Sequence, residues 1–341
     1  MSSKLPVTIP VPSAPVCSLP KDPLETITAF DCTDKNLQSA YALWDTVFRA
    51  CWPLSFESFK KVLTHLEQPY HIAVYDDQGK LVGFAATQTV VSENAGQLAL
   101  LMVHPEYRNK GVGTRLNDCC LNMFRSNGSS VMLGSTYPRF FCGVPNDDLG
   151  EQAQAFFEHR GYSFNNTVWD MMGDVSQYEI PKQIQERMIK ENIWFGRITK
   201  DQTQELFDFQ SKYFDFWLST YKHHIELGDY QDILIAREHD ENGRLIGSLI
   251  LFCPGQSSPH RTDLIWTHES LFGSKSGGMA CVGVASEDRG RGIGLGLVSY
   301  ANSALRKRGV YKSYVDWVEL TDFYGRTNYC KWRSYRLGAI K

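Results

Sequence analysis

The feature that most constrains the fold is an order of segments that occurs twice. The first occurrence opens with a helical pattern, "KNLQSAYALWDTVFRACW", whose apolar residues recur at three- and four-residue steps. Two strand-like runs follow in "YHIAVYDDQGKLVGFAATQTVV", joined at the hairpin signal Asp77-Gln78-Gly79. The strand "GQLALLMVHP" then leads into a glycine-rich loop around Gly111, which opens a helix expected over Thr114 to Ser126. The second occurrence runs "QTQELFDFQSKYFDFWLSTY" (read as one aromatic-rich helix), then "DILIAREHDENGRLIGSLILF", then "GGMACVGVAS". A loop around Gly292 opens its helix, expected to reach about Lys307. Gly79 and Gly243 lie 164 residues apart, Gly111 and Gly292 lie 181 apart. The second copy therefore carries about 17 extra residues before its glycine loop, within "CPGQSSPHRTDLIWTHESLFGSKSGG". A short motif can recur by chance; a whole order does not. The chain is expected to be two α/β (α+β) domains of one fold, 25–178 and 179–341, joined near 176–190, after a Pro- and Ser-rich tail over 1–24.

Both loops fit Arg-x-x-Gly-x-Gly, as Arg108 to Gly113 and as Arg289 to Gly294. Each lies between a strand and a helix. Unpaired N–H groups point outward at such a helix start, with the helix dipole behind them. Glycines let an anionic group such as a pyrophosphate approach that backbone, and Arg108, Lys110, Arg289 and Arg291 add positive charge. A tight strand-to-helix turn that favours glycine accounts for either loop equally well on its own. The dinucleotide fingerprint needs its glycines after the first strand of a βαβ unit, and here the preceding strand is the fourth of its domain. A P-loop needs Gly-Lys-Ser/Thr, which neither copy has.

Composition narrows the partners. The chain has 341 residues, 43% of them hydrophobic, and a net charge of −3. That balance gives two ordinary cores and no global basic field, so neither nucleic acid nor an anionic membrane is an expected partner. Nine cysteines without CxxC spacing read as reduced, mostly buried thiols. His223 and His224 are adjacent on a helix pattern and diverge, so no metal site is expected. No signal-peptide pattern or membrane-length apolar run is seen, and the expected compartment is the cytoplasm, with the nucleus as alternative.

The strand, the Arg-x-x-Gly-x-Gly loop, the next strand and a Phe-Tyr-x-x-x-x-Tyr segment resemble the GNAT superfamily of acetyl-CoA-dependent N-acetyltransferases. The matching pieces are "CVGVASEDRGRGIGLGL", "KSYVDWVEL" and "DFYGRTNYCKWRSYRLG" in the second copy, "LLMVHPEYRNKGVGTRL" and "AFFEHRGYSF" in the first. Together with "PRFFCGVPND" and "VDWVELTDFYG", they look like tandem-GNAT proteins associated with N-acetylhexosaminidases and the acetyltransferase half of fungal N-acetylglucosamine-sensing proteins. The resemblance implies two tandem GNAT folds, each a mixed, mostly antiparallel sheet flanked by helices, with acetyl-CoA as co-substrate and no metal. It implies direct attack by an amine, with the pantetheine arm between splayed fourth and fifth strands. By the same resemblance Val282, Gly283 and Val284 hold pantetheine and the acetyl carbonyl, while Arg289, Gly290, Arg291, Gly292, Ile293 and Gly294 hold the pyrophosphate. Tyr324 matches the family's general acid. The first copy has Phe157 there, which has no proton to give.

The general base is left open. Asp316 lies in "YVDWVEL", where strand alternation puts Tyr314, Asp316 and Val318 on one face. A carboxylate there can take an amine proton, anchor a sugar hydroxyl or pair with an arginine; Glu319, Glu269 and Asp263 are reserves. Asp316, Trp317 and Glu319 are the candidate acceptor-binding residues, with Trp266 and Trp332 as further stacking surfaces. The first copy has an extra stretch, "STYPRFFCGVPNDDLGEQ", read either as a binding surface or as a plain long loop. The expected acceptor is a small amine, glucosamine or a related amino sugar, on the family resemblance. A protein or histone lysine is the enzyme alternative, a non-catalytic acetyl-CoA or amino-sugar sensor the other. Homo-oligomerisation is left open.

Overall fold

A computed structural model describes residues 26–90, 95–125 and 130–341. The expected tail over 1–24, Cys17, and Ser126 at the end of the first glycine-loop helix lie outside the described residues. In the first half the strands are β1 (Ile27–Ala29), β2 (Ile72–Tyr75), β3 (Leu81–Val90), β4 (Ala95–Val103), β5 (Ser130–Leu133), β6 (Val144–Pro145) and β7 (Ser163–Asp174). The second half supplies β8 (Ile193–Arg197), β9 (Ile233–Glu238), β10 (Leu245–Phe252), β11 (Ser276–Val284), β12 (Lys312–Val318) and β13 (Tyr329–Ile340). The helices are α1 (Asp34–Phe48), α2 (Phe56–His65), α3 (Val112–Arg125), α4 (Asp148–Glu158), α5 (Lys182–Lys190), α6 (Thr203–Tyr213), α7 (Leu218–Glu226), α8 (Glu269–Phe272), α9 (Ile293–Lys307) and α10 (Thr321–Gly325). Among the described residues no helix is long and apolar enough to cross a membrane.

Local chemistry explains most boundaries. Thr33, Ser55 and Asp147 cap α1, α2 and α4 by accepting the amides of Asn36, Ser58 and Gly150. The β2–β3 hairpin turns where Asp76 Oδ1 accepts the amides of Gln78 and Lys80, with Gly79 at φ 75°. The repeat extends to packing. Gly83 on β3 lets Val112 of α3 come within 2.6 Å of where a Cβ would stand, and Gly247 on β10 does the same for Leu297 of α9 at 2.8 Å.

One expected element is different. The single helix expected over "QTQELFDFQSKYFDFWLSTY" is broken into α6, a short 3-10 turn at Asp215–Trp217, and α7. Phe214 leaves the helical region at φ −150° and lays its ring against Gly283 of β11, 2.6 Å from where a Cβ would be. Burial of a Phe on the neighbouring strand outweighs continuation of the helix.

The strands join in one sheet, in the order β1-β2-β3-β4-β5-β13-β7-β12-β11-β10-β9-β8, with β6 beside β13. Only β4–β5 and β11–β12 are parallel. Within each half the glycine-loop helix covers one face, with α3 on β2–β5 and α9 on β9–β11, and the opening helices cover the other. The last strands are exchanged. Strand β7 belongs to the first half in sequence but pairs with β12, and β13 belongs to the second half but pairs with β5. The two pair with each other from Tyr329↔Gly173 to Ala339↔Ser163. Across this junction Trp44, Trp52, Phe140 and Phe141 of the first half pack with Trp266, Tyr314 and Tyr335 of the second in one aromatic cluster.

A chain cut between 178 and 179 leaves β5 and β12 without the strand that completes them. The halves expressed separately should therefore be insoluble or aggregated, and co-expression should recover them as a pair on size-exclusion chromatography. A folded, monomeric 26–178 would show that the exchange is dispensable.

Candidate acceptor cavity and anion loop

A cavity of about 860 Å³ opens where the halves meet. The first half contributes Tyr137, Arg139, Phe140 and Cys142 from its extra stretch, together with Asp170 of β7. That stretch, read either as a binding surface or as a plain long loop, lines this cavity. The second half contributes Trp217 and Thr220 near the break between α6 and α7, Thr262, Asp263 and Trp266 from its own insertion, Cys281 of β11, and Tyr314, Asp316 and Trp317 of β12. The lining holds five carboxylates (Glu67, Asp170, Asp215, Asp263 and Asp316) and two cations, Arg139 and Lys222.

Asp316 shares the cavity face of β12 with Tyr314, and a bulge in the strand brings Trp317 onto that face as well. Val315 pairs with Met171, but the next pair is Val318 with Trp169, and Trp317 stands at φ 51°. The expected shared face thus holds for Tyr314 and Asp316 and fails at Val318. Val315 and Val318 both enter the core under α9, while Tyr314, Asp316 and Trp317 line the cavity. The Asp316 Oδ2 accepts two hydrogen bonds from Arg139, one of them from Nε at 3.0 Å, and Oδ1 accepts none from the described residues. The Arg139 guanidinium also lies over the Trp317 ring at 5.1 Å.

Asp170 sits behind this pair, fully buried. Its Oδ2 accepts the hydroxyls of Tyr314 at 2.7 Å and Tyr335 at 2.5 Å, and its Oδ1 accepts the Trp317 amide at 3.2 Å. Burial, and then the Asp316 charge, push its carboxyl up to about 7 against those three hydrogen bonds. Neither Asp170 nor Arg139 was expected from the sequence. The available signal was a lone charge in the apolar run "TVWDMMG" and a lone arginine in "YPRFFC". Of the other candidates, Asp263 lines the cavity, where Arg261 and His224 hold it well below its ordinary value despite burial. Glu319 is exposed and accepts from Asn166 at 3.3 Å, outside the cavity lining. Glu269 opens α8 and Trp332 packs on Phe272, also outside that lining.

Strand β11 carries a second bulge. Ser248 pairs with Gly283 but Ile250 pairs with Ala280, and Cys281 stands at φ 54°. Beyond Gly278↔Tyr314, β11 and β12 no longer pair, so the strands part from about Met279 onward. Val282 and Val284 are partly exposed along the parted edge, and Gly283 is covered by Phe214. At the end of β11, Gly292 stands at φ 87° as the N-terminal cap of α9, with no side chain capping the helix and no acid in its first turn. Ile293 is buried in the core. Arg289 is exposed and donates from Nε to the Val284 carbonyl at 3.3 Å. Arg291 turns back into the protein instead, to Glu191, Glu238 and Asp288. Its place over the loop is taken by Arg187 of α5, whose NH2 donates to Gly290 O at 2.7 Å.

Residues 68–164 match the family model described as the acetyltransferase (GNAT) domain. The chain carries a GNAT domain. A solved structure described as the GCN5-related glucosamine N-acetyltransferase region of a fungal multi-domain GH3 beta-N-acetylglucosaminidase is 53% identical, with a TM-score of 0.89. That likeness covers 92% of this chain and 38% of the other. A tandem GNAT protein from the clavulanic acid biosynthesis pathway shares the fold over 92% of this chain and 98% of its own, at 13% identity and a TM-score of 0.63. Mycothiol acetyltransferase of Saccharopolyspora erythraea is 43% identical over 53 residues, which are 15% of this chain and 18% of that protein. The chain thus spans well under two thirds of the first two relatives that carry an activity in their descriptions.

The GNAT model falls on the first half, yet the two halves are built alike around the helix that follows each loop. Gly113 faces the Phe156 ring at 3.4 Å and Gly294 faces the Phe323 ring at 3.2 Å. Phe157 stacks edge-on against Tyr162 at 5.2 Å, and Tyr324 against Tyr329 at 5.8 Å. The register that sets Phe157 against Tyr324 thus has a counterpart in space. Phe157 is buried in the core of the first GNAT half, whereas Tyr324 is half-buried on α10. Burial first, and then the charges of Asp316 and Cys281, raise the Tyr324 phenol above its ordinary value, so it holds its proton at neutral pH.

Gly292→Val places a branched residue at a positive φ, against the Arg187 Nε that already lies 2.7 Å from the position of its Cβ. Calorimetry with coenzyme A should show binding lost at this loop while circular dichroism remains that of the folded protein. Unchanged affinity in the folded variant would remove the loop from the anion site.

Proposed function

We propose that the chain transfers an acetyl group from acetyl-CoA to the amine of a small acceptor, an amino sugar such as glucosamine, in the second GNAT half. The observation that carries this reading is the acid-lined cavity beside the β11 bulge, at the point where β11 and β12 part. An ammonium group and several hydroxyls need carboxylates to receive them, and the aromatic wall of Trp217, Trp266 and Trp317 suits a sugar ring. The likeness to a glucosamine N-acetyltransferase region supports the same acceptor.

The residues present suit acetyl-CoA. The uncapped start of α9 offers backbone N–H groups to a pyrophosphate, with Gly292 adding no side chain of its own and Arg187 lying over it. Arg289 contributes positive charge at the rim, and Ile293 anchors the turn in the core. Arg291, expected to hold phosphate, is read here as a brace that fixes the loop through Glu191, Glu238 and Asp288. Val282, Gly283 and Val284 present the free backbone edge of β11 along which a pantetheine arm can pair. Acetyl-CoA supplies the activated acyl carbon.

Asp316 is read as the group that meets the acceptor amine. Its Oδ1 has no donor among the described residues, so it can receive an N–H of the incoming ammonium and draw its proton off. Tyr324 is read as the donor that returns a proton to the departing thiolate, because burial keeps its phenol protonated. Trp317, stacked by Arg139, gives the sugar its apolar platform.

Purified protein should release coenzyme A thiol from acetyl-CoA with glucosamine far faster than with a lysine-rich histone-tail peptide, and the rate should rise with pH as the amine loses its proton. Turnover of the peptide with none of glucosamine would promote the lysine acceptor; no turnover with any amine, beside tight coenzyme A binding, would point to a sensor. Tyr324→Phe should keep coenzyme A affinity within a few-fold and lower turnover by at least about tenfold, since a general acid contributes roughly 10²–10⁴. Phe157→Tyr alone should restore nothing, and a wild-type rate in Tyr324→Phe would exclude the assigned acid.

A further inference from the structure

Trp317 holds a backbone conformation that L side chains rarely adopt, at φ 51° one residue before the end of β12. Such a conformation persists only where its surroundings impose it. The Trp317 amide donates to one side chain, the Asp170 Oδ1, at 3.2 Å. Asp170 is in turn fixed on its other oxygen by Tyr314 and Tyr335, on β12 and β13. It stands on β7, the strand that the first half lends to the second half's sheet, opposite Arg333 of β13. The bulge it holds lies between Val315 and Val318, and Asp316, which lines the cavity, stands within it beside Trp317.

We propose that Asp170 is a positioning residue for the acceptor site, holding the β12 bulge through the Trp317 amide so that Asp316 presents Oδ1 to the incoming amine. This rests on the reading of Asp316 given above. Two clamps then act on Asp316 from opposite directions. Arg139 holds its carboxylate directly, by two donors on Oδ2. Asp170 holds its backbone through the next residue. The elevated proton affinity of Asp170, set by burial and by Asp316, does not undo the clamp. A proton on Oδ2 turns one tyrosine hydroxyl round to accept it and leaves Oδ1 free to keep the Trp317 amide. No charge on Asp170 is needed, only an acceptor in that place. The exchanged strand thereby gives the first half, whose own loop lacks the tyrosine, a part in the second half's chemistry.

The proposal separates three variants, assayed with acetyl-CoA and glucosamine. Asp170→Asn keeps an amide oxygen for Trp317 and turns its NH2 to the tyrosine oxygens, and kcat should stay within about threefold of wild type. Asp170→Leu removes the acceptor, and kcat should fall about 10²-fold, the loss that roughly 1 Å of misplacement produces, with KM for acetyl-CoA within about threefold. Because the effect passes through Asp316, Asp170→Leu combined with Asp316→Asn should be as slow as Asp316→Asn alone, rather than slower by the product of the two losses. A crystal structure of Asp170→Leu should show Trp317 out of the positive-φ region. If the leucine variant does not fold by circular dichroism, Asp170→Ser, whose hydroxyl is too short to reach the amide, takes its place. A wild-type kcat in the leucine or serine variant, losses that multiply in the double variant, or an asparagine variant as slow as the leucine one would overturn the proposal. A wild-type rate in Asp316→Asn would overturn it differently, by removing the premise that Asp316 meets the amine.

Discussion

The antiparallel pairing of β7 with β13 is the constraint on which the rest of the molecule depends. Each strand reaches across the junction, so neither half completes its sheet from its own sequence. The pairing satisfies the backbone groups that two open sheet edges would otherwise leave unmet. It also sets Asp170 against Tyr335 and Tyr314, and draws Trp44, Trp52, Phe140 and Phe141 onto Trp266. A cavity lined by both halves follows from it. The cavity is therefore a property of the junction and not of either repeat.

Around that junction the two repeats keep one architecture. Glycines at 83 and 247 admit the loop helices, and Phe156 and Phe323 lie over Gly113 and Gly294 in the same manner. What differs is the polar equipment. The second half has a phenol where the first has a buried Phe157, and it adds Arg261, Thr262 and Asp263 within a loop that the first lacks. The first half's own insertion delivers Arg139 to Asp316. Divergence has placed Asp316 and Tyr324 on one repeat and part of the cavity wall, Arg139 among it, on the other.

The loop of the second half illustrates how a motif limits the roles of its residues without distributing them. Arg289 and Arg291 both read as phosphate ligands by the family resemblance. Arg291 instead meets three carboxylates, and Arg187, from the connecting helix α5, lies over Gly292 in its stead. Arginine spacing sets which side chains are near an anion site; the surrounding charges decide which of them face it.

The duplicated order, the fourth-strand position of each glycine loop, the bounds of α9 and the equivalence of Phe157 with Tyr324 were all legible in the sequence. They rest on short-range chemistry: periodicity, turn residues, glycines and spacing along one strand or helix. The break at Phe214, the bulges at Cys281 and Trp317, the exchange of β7 and β13, and the meeting of Arg139, Asp170 and Asp316 were not legible. Each depends on a partner far away in the chain. Phe214 answers to Gly283, Trp317 to Asp170, and Asp316 to Arg139 177 residues before it. The sequence by itself determined the repeat, its elements and the place of each glycine loop, because those are set by neighbours within a few residues. Only the tertiary structure decided which carboxylate faces the cavity and what holds it there, because a strand's register, and hence the face each side chain takes, is fixed by the strand beside it.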